Sequence, residues 1–436
     1  WGFFPSFSLG WRISEEPFFE GIREKFNNFK IRYSYGQLGN QNVGYYDYIR
    51  KISIGNQNYL FGGDKPTTAT ISAPVASNLS WETSIHNNLG VDMSFLNNRL
   101  AFSADFYIRD TKDMLTSGVA LPSVYGADSP KMNSADLRTK GYELSLSWRD
   151  EFQLLRRPFT YSVTVTFNDY VTDITKYDNP DRTFAKSYYE GMRWGEIWGY
   201  RIGGLFATDA EAAGYAVDQT AVNNRINAAT GSERGLHAGD LKFLDLDGDN
   251  TVDDPGDREI IGNSQPRFHY GTTLSMSWAG IDFSIFFQGI GRRHWYPKAN
   301  TIAFWGPYAR PYASWIPKDF HEMYWSEENP DAYFPRPRGY VALSGTNREL
   351  TAVNDRYMQN IRYCRLKNLT IGYTLPKKWT RKVLIENLRV YFTGENLATW
   401  SPIHSDYIDP EMAAMNDEMR TYPWQKTYMF GVDVTF

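Results

Sequence analysis

Within the acid-rich segment 239–257, six oxygen-bearing residues fall at a loop-like spacing: Asp245, Asp247, Asp249, Thr251, Asp253 and Asp257. Counted from Asp245, the carboxylates take positions 1, 3, 5 and 9 of a tight loop, the spacing a hard cation such as Ca2+ requires, and Thr251 falls where a backbone carbonyl usually serves. The loop departs from the helix-loop-helix calcium pattern. Asn250 stands at the usual glycine, no Glu closes the loop, and Asp257 comes one residue late after Pro255-Gly256. The same residues also read as a solvated acidic turn held by side-chain-to-backbone hydrogen bonds. A second stretch, 292–356, gathers Trp295, Tyr296, Trp305, Tyr308 and Trp315 around Arg310. Flat rings beside fixed donors suit sugar rings or peptide side chains. A long ordered loop also buries such rings in a satellite core of its own, or against a partner. Catalysis finds no anchor. His321-Glu322 lacks the second His of a zinc-protease helix, and no Gly-x-Ser-x-Gly elbow or phosphate-cradling loop is present. The expectation is a protein that is not an enzyme, with Ca2+ as its one candidate cofactor.

The elements that must carry these loops show a period of two. At the C-terminal end Tyr428, Phe430, Val432, Val434 and Phe436 alternate with Met429, Gly431, Asp433 and Thr435. A strand with one apolar and one wet face, closing on an aromatic residue, is how outer-membrane barrels usually finish. The same pattern recurs in Phe159-Tyr161-Val163-Val165-Phe167, Tyr142-Leu144-Leu146-Trp148, Ile281-Phe283-Ile285-Phe287 and Leu388-Val390-Phe392. Period-two segments bounded by turn residues predict about eleven strands, near 4–14, 28–37, 80–96, 99–110, 136–150, 157–170, 265–279, 281–291, 357–374, 386–399 and 426–436. Short or moderate connections alternate with long ones at 38–79, 111–135, 171–264, 292–356 and 400–425, the turn-and-loop asymmetry of a membrane barrel. Alternation fails near Arg365–Tyr373, where keeping Leu369, Ile371 and Tyr373 towards lipid also sends Lys367 and Arg365 there. A bulge or snorkelling at the interface resolves that register.

Composition bounds the class. Of 436 residues, 16% are aromatic, led by 30 Tyr and 27 Phe, as expected where rings face lipid and form interfacial girdles. Mean hydropathy is −0.51, and no apolar run approaches a membrane helix. A barrel reconciles the two, since half of each strand faces a polar lumen and the loops are wet. The 46 basic and 50 acidic residues are interspersed, so nucleic acid is not an expected partner. Cys364 stands alone, which excludes an internal disulfide. Trp1-Gly-Phe-Phe-Pro5 does not read as a signal peptide, and the chain is expected to be a piece of something longer. The fold class expected is all-β: a transmembrane antiparallel β-barrel, with 1–436 supplying the last eleven strands of a 22-stranded barrel and long extracellular loops. An open sheet in lipid leaves two rows of unsatisfied backbone groups, so N-terminal strands must close it. Polar candidates for the lumen are Thr164, Asn168, Ser275, Asp282, Gln288 and Asp433. A passive pore, a barrel-anchored adhesin and soluble β-sandwiches are the competing expectations.

Motifs in order along nearly the whole chain resemble one family. Phe4-Pro-Ser-Phe-Ser-Leu-Gly-Trp11, Gly199-Tyr-Arg-Ile-Gly-Gly-Leu-Phe206, the acidic loop followed by Ile261-Gly-Asn-Ser-Gln-Pro-Arg-Phe-His-Tyr-Gly271, Arg365-Leu-Lys-Asn-Leu-Thr-Ile-Gly-Tyr-Thr-Leu-Pro376 and Asp409-Pro-Glu411 are similar to the SusC/RagA family of TonB-dependent outer-membrane transporters. That resemblance implies a 22-stranded barrel plugged by an N-terminal domain, lying in outer-membrane lipid with its C terminus periplasmic. It also implies a SusD-like surface lipoprotein as lid, and import of oligosaccharides or peptides with energy from TonB. The plug and the TonB-contacting segment have no counterpart in this chain, and no barrel motif reports the substrate.

Overall fold

The computed structural model describes residues 2–40, 49–76, 79–118, 121–179, 187–223, 235–309, 318–338, 342–343, 348–415 and 422–436. Its main element is an antiparallel sheet of eleven strands hydrogen-bonded in chain order. They are β1 (Ser6–Arg12), β2 (Phe26–Asn40), β3 (Glu82–Phe95), β4 (Leu100–Ser117), β5 (Lys131–Leu154), β6 (Arg157–Lys176), β7 (Arg267–Trp278), β8 (Ile281–Arg292), β9 (Tyr363–Thr374), β10 (Asn387–Trp400) and β11 (Thr427–Thr435). Each of the eleven segments predicted from alternation overlaps one of them. No described helix is long and apolar enough to cross a membrane.

Tight turns set the strand ends. Leu155-Arg156 joins β5 to β6 with φ of 50° and 61°, and Ala279-Gly280 joins β7 to β8 with φ of 53° and 92°. Two left-handed residues in succession match the twist of the strands they connect. Sequence alone places the first of these connections at 151–156. β2, β4, β5 and β6 run further than the alternation suggests, because polar residues at their ends keep the backbone paired after the apolar pattern stops.

The chain forms two compact units, Trp1–Leu144 with Asp169–Trp194, and Ser145–Asn168 with Gly195–Phe436. In the first, Tyr33, Leu89 and Phe106 share one face of β2, β3 and β4, and Arg32, Gly90 and Asp105 share the other. A hairpin of Ile52–Asn56 and Thr67–Ile71 occupies part of its long 38–79 connection. In the second, the rows Phe159–Trp278–Ile281–Tyr373 and Tyr161–Met276–Phe283–Ile371 are apolar. The intervening rows Thr160–Ser277–Asp282–Gly372 and Ser162–Ser275–Ser284–Thr370 are polar or lack a side chain. The connections 195–264 and 293–362 are not plain loops. They contain short two-stranded antiparallel ladders (Glu196–Gly199 with Glu259–Asn263, Ile202–Leu205 with Leu241–Phe243) and pack their apolar residues into a core of their own.

Candidate functional site

Three regions bear chemistry. The first is the polar face of the strands. Thr164, Asn168, Ser275, Asp282, Gln288 and Asp433 fall on that face by register, opposite Thr273, His269, Ser162, Gly372, Arg365 and Arg389. Charged groups there are joined in cross-strand bridges. Arg389 on β10 donates to both Asp282 oxygens on β8 at 2.9 and 2.7 Å, passing over β9, and to Asp433 on β11 at 3.0 Å. The position crossed on β9 is Gly372, where a Cβ would lie 2.5 Å from Asp282 Oδ1 and 2.7 Å from Arg389 Nε. Arg32 on β2 does the same over Gly90 on β3. It reaches Asp105 on β4 at 2.9 Å while holding Asp92 at 2.7 Å, and a Cβ on Gly90 would meet its guanidinium. These glycines are places where a neighbouring strand's side chain lies flat on the backbone.

The irregular stretch at Arg365 resolves as a bulge. Phe286 pairs Asn368 while Phe287 pairs Leu366, so Lys367 is the extra residue. One extra residue reverses alternation. Leu369 and Ile371 therefore keep the apolar face, while Arg365 points to the polar side. There it is 1% exposed, with Nη2 at 2.7 and 2.6 Å from the two Asp409 oxygens, Nη1 at 2.8 Å from Glu411 and Nε at 3.0 Å from Thr399. Lys367 places its ammonium 4.2 Å from the Trp424 ring centre. The Asp409-Pro-Glu411 motif thus moors the segment 401–415 to β9. The sequence signal was an arginine that violates its strand's alternation, but nothing in the sequence pairs it with carboxylates 44 and 46 residues away.

The second region is the acidic loop. Asp245 accepts the Gly248 N–H at 2.6 Å and the Asn250 N–H at 2.8 Å, and Asn250 takes the left-handed conformation (φ 66°). Asp249 accepts from Thr251 and Asp253 from Gly256, so these carboxylates brace their own turn. Asp257 is fully buried and accepts the N–H groups of Leu246 and Asp253. One oxygen each from Asp245, Asp247 and Asp257 converge within 4.8 Å of one another. The late acid after Pro255-Gly256 is therefore the one that completes the cluster. Hydrogen bonds from Gly248 and Asn250 hold the Asp245 pKa below the usual carboxylate value. Asp247 also receives a backbone hydrogen bond, from Asp249, which lowers its pKa. Desolvation and the charges of Asp249, Asp257 and Asp245 outweigh that bond and raise it. Three convergent carboxylate oxygens, one carrying unrelieved repulsion, are a donor set that fits a hard divalent cation.

The third region is the aromatic loop. Trp305 and Tyr308 are 0% and 1% exposed, inside a core that also takes in Phe243, Phe304, Phe334, Leu350 and Tyr357. Trp295 and Tyr296 pack against that core. Tyr308 donates to the Pro335 carbonyl at 2.5 Å, Tyr296 to the Leu350 carbonyl at 2.9 Å, and Trp305 Nε1 to the Lys298 carbonyl at 3.1 Å. Burial raises the Tyr333 hydroxyl to about 12 and the Tyr308 hydroxyl further. These rings hold the loop's architecture and offer little surface to a ligand. Arg310 and Trp315 lie outside the described residues.

Comparisons with known proteins agree with this architecture. A sequence model of the family described as "TonB dependent receptor-like, beta-barrel" matches residues 1–232. TonB-dependent receptor P3 of Formosa agariphila is 28% identical over all of this chain and 42% of its own length. TonB-dependent receptor SusC of Bacteroides thetaiotaomicron is 27% identical over all of this chain and 40% of its own. The chain therefore spans about two-fifths of the curated relatives it matches. In fold it is similar to the RagAB peptide importer in its open-open state, with a TM-score of 0.69 at 20% identity, over 99% of this chain and 42% of that one. Since the family match covers more than half of the residues, and the strands it implies are those observed, the chain belongs to the TonB-dependent receptor β-barrel family.

Proposed function

We propose that this chain is the C-terminal part of the barrel of an active importer. It would carry oligosaccharides or oligopeptides across the bacterial outer membrane with energy delivered through TonB. The observation that carries the reading is the strand register in a member of this family: one face of each strand is apolar, the other holds Ser, Thr and bridged charges. The first face suits hydrocarbon and the second a hydrated passage. The outer edges of β1 and β11 have no strand partner among the described residues. In lipid such edges leave unsatisfied backbone groups, which supports a parent protein whose N-terminal strands pair with them and whose plug fills the lumen. The likeness to SusC and to RagAB supports a SusD-like lipoprotein as extracellular lid, with the C terminus on the periplasmic side.

In this reading the work is conformational. Substrate enters under the lid, meets the loops and the polar wall, and leaves when the plug is remodelled. Bridges such as Asp282–Arg389–Asp433 keep the wall rigid and leave few free charges to trap cargo. Ca2+ at Asp245, Asp247 and Asp257 belongs to the same proposal; it would lock the acidic turn and take no part in chemistry. The test is uptake of fluorescent oligosaccharide and oligopeptide panels by cells carrying the full-length parent protein, with and without TonB. Accumulation that requires TonB is expected. Equal entry in its absence makes the protein a passive pore and overturns the proposal.

A further inference from the structure

In the second unit, antiparallel chain order brings the turns after β5, β7 and β9 to one end, together with the C-terminal end of β11. The apolar face stops there at the row Phe159–Trp278–Ile281–Tyr373. Two of these turns place a leucine where a left-handed backbone favours glycine. Leu155 has φ 50° and is 78% exposed, and Leu384 has φ 61° and is 86% exposed. Such a backbone disfavours any residue with a Cβ, and water disfavours so large an apolar side chain. Neither leucine serves its backbone or a core. Each has cations beside it, Arg156 and Arg157 after the first, Arg381 and Lys382 before the second. The first unit repeats the device by itself at Leu96 (φ 53°), three residues before Arg99.

The turn between β9 and β10 is the fullest case. It folds as a helical turn, Lys377–Thr380, continued by Arg381–Val383, and is pinned by buried Thr380, whose carbonyl accepts the Ile385 N–H at 3.2 Å. Residues four apart share a stripe on such a turn. Lys377 and Arg381 form one stripe, both bound to Glu386, the one acid of residues 375–386. Lys378 and Lys382 form the next, with no ion-pair partner among the described residues. Trp379 and Val383 form a third, exposed like Leu384. Exposed apolar side chains beside a free cationic stripe, at the end of an apolar wall, are the composition of a segment that lies in a lipid headgroup layer. Long basic side chains there reach the phosphates while the apolar ones enter the acyl boundary. The N-terminal strands of the proposed barrel would pair at the edges of β1 and β11, which leaves this turn, between interior strands, uncovered.

We infer that the β9–β10 turn is a foot for anionic glycerophospholipid, with Lys378 and Lys382 at the headgroup phosphate and Trp379, Val383 and Leu384 at the acyl boundary. The inference rests on the importer reading, which puts this end at the periplasmic leaflet. Its test uses the full-length parent protein in nanodiscs doped with photoactivatable phosphatidylglycerol or phosphatidylcholine, the crosslinks being mapped by peptide mass spectrometry. The phosphatidylglycerol probe is expected to label residues 376–386 roughly tenfold more than the phosphatidylcholine probe, with the margin shrinking at about 0.5 M salt. The double variant Lys378→Glu, Lys382→Glu, which keeps the Glu386 bridges, loses that margin. Leu384→Asn suits the left-handed backbone, so it keeps the melting temperature but weakens labelling by both probes. Unlabelled phosphatidylglycerol competes, and inorganic phosphate does not. Equal labelling by the two probes, a margin that survives the double variant, undiminished labelling of Leu384→Asn, or competition by inorganic phosphate overturns the inference. TonB-dependent uptake measured in parallel separates the two failures. Equal labelling with uptake intact sinks only the foot, whereas a phosphatidylglycerol margin without TonB-dependent uptake sinks only the importer reading.

Discussion

Arg365 carries a full charge at 1% exposure, and only the pair Asp409 and Glu411 makes that tolerable. Taking one partner from a buried ion group leaves the others uncompensated, which costs about 3–5 kcal/mol. Arg365→Met is therefore expected to release the segment 401–415 from β9. Limited proteolysis of the full-length protein would show new cuts there, and the added changes Asp409→Asn and Glu411→Gln should restore part of the protection. Unchanged resistance in Arg365→Met would show that the mooring lies elsewhere. At the acidic loop, Asp257 holds the turn through two backbone hydrogen bonds and contributes one of three convergent oxygens. Ca2+ is expected to bind with a dissociation constant on the order of 10^-4 to 10^-3 M, as in extracellular modules, and to raise the melting temperature of the parent protein. Asp247→Asn, which keeps the turn's hydrogen bonds, should abolish that rise. A melting temperature indifferent to Ca2+ would leave the cluster as a braced turn.

At the scale of the element, β9 depends on a single inserted residue. Deleting Lys367 would restore simple alternation and swing Arg365 to the apolar face. A charge there costs about 2–4 kcal/mol at mid-membrane depth, in addition to the lost pairing. The deletion variant of the full-length protein is expected to lose the heat-stable folded band on a gel, whereas Lys367→Ala, which keeps the bulge, should retain it. The turn between β9 and β10 has a different sensitivity. Hydrogen bonds from Arg381 and Lys377 lower the Glu386 pKa from 4.5 to about 2. A depressed acid stabilises above its unfolded pKa and loses that contribution as pH falls. The turn should therefore be at full stability above about pH 4.5 and loosen progressively towards pH 2, seen as faster amide exchange at 377–386. Glu386→Gln should flatten this dependence, and an equally steep profile in the variant would assign it to another group.

For the whole molecule, the decisive feature is that the sheet's two terminal strands are exposed along nearly their full length. Residues 1–436 produced alone in detergent are expected to stay protease-sensitive and to aggregate, while the full-length parent resists protease. A monomeric, resistant product from this segment alone would mean that it closes by itself, against the proposal that N-terminal strands complete it. The glycine saddles belong to this scale too. Gly90 in the first unit and Gly372 in the second each let an ion bridge span three strands, so each braces the polar face around it.

Much of this was written in the period-two pattern. Alternation of apolar and polar residues is a local property, because successive side chains on a strand point to opposite faces. The eleven strands, their order and the two faces were therefore legible from residues such as Phe159 to Phe167 or Tyr428 to Phe436 without any contact map. The acidic spacing from Asp245 was legible for the same reason, since its hydrogen bonds close within a few residues. What local pattern cannot carry is a choice between two exits for one residue type. Whether Trp305 and Tyr308 face a ligand or a core, whether Lys367 bulges or snorkels, and which acids meet Arg365 were decided by packing between segments tens of residues apart. A ring or a guanidinium reads the same in sequence whether it ends exposed or buried. Only the tertiary partners that desolvate it, and the carboxylates or carbonyls that then answer its polar groups, select between those states.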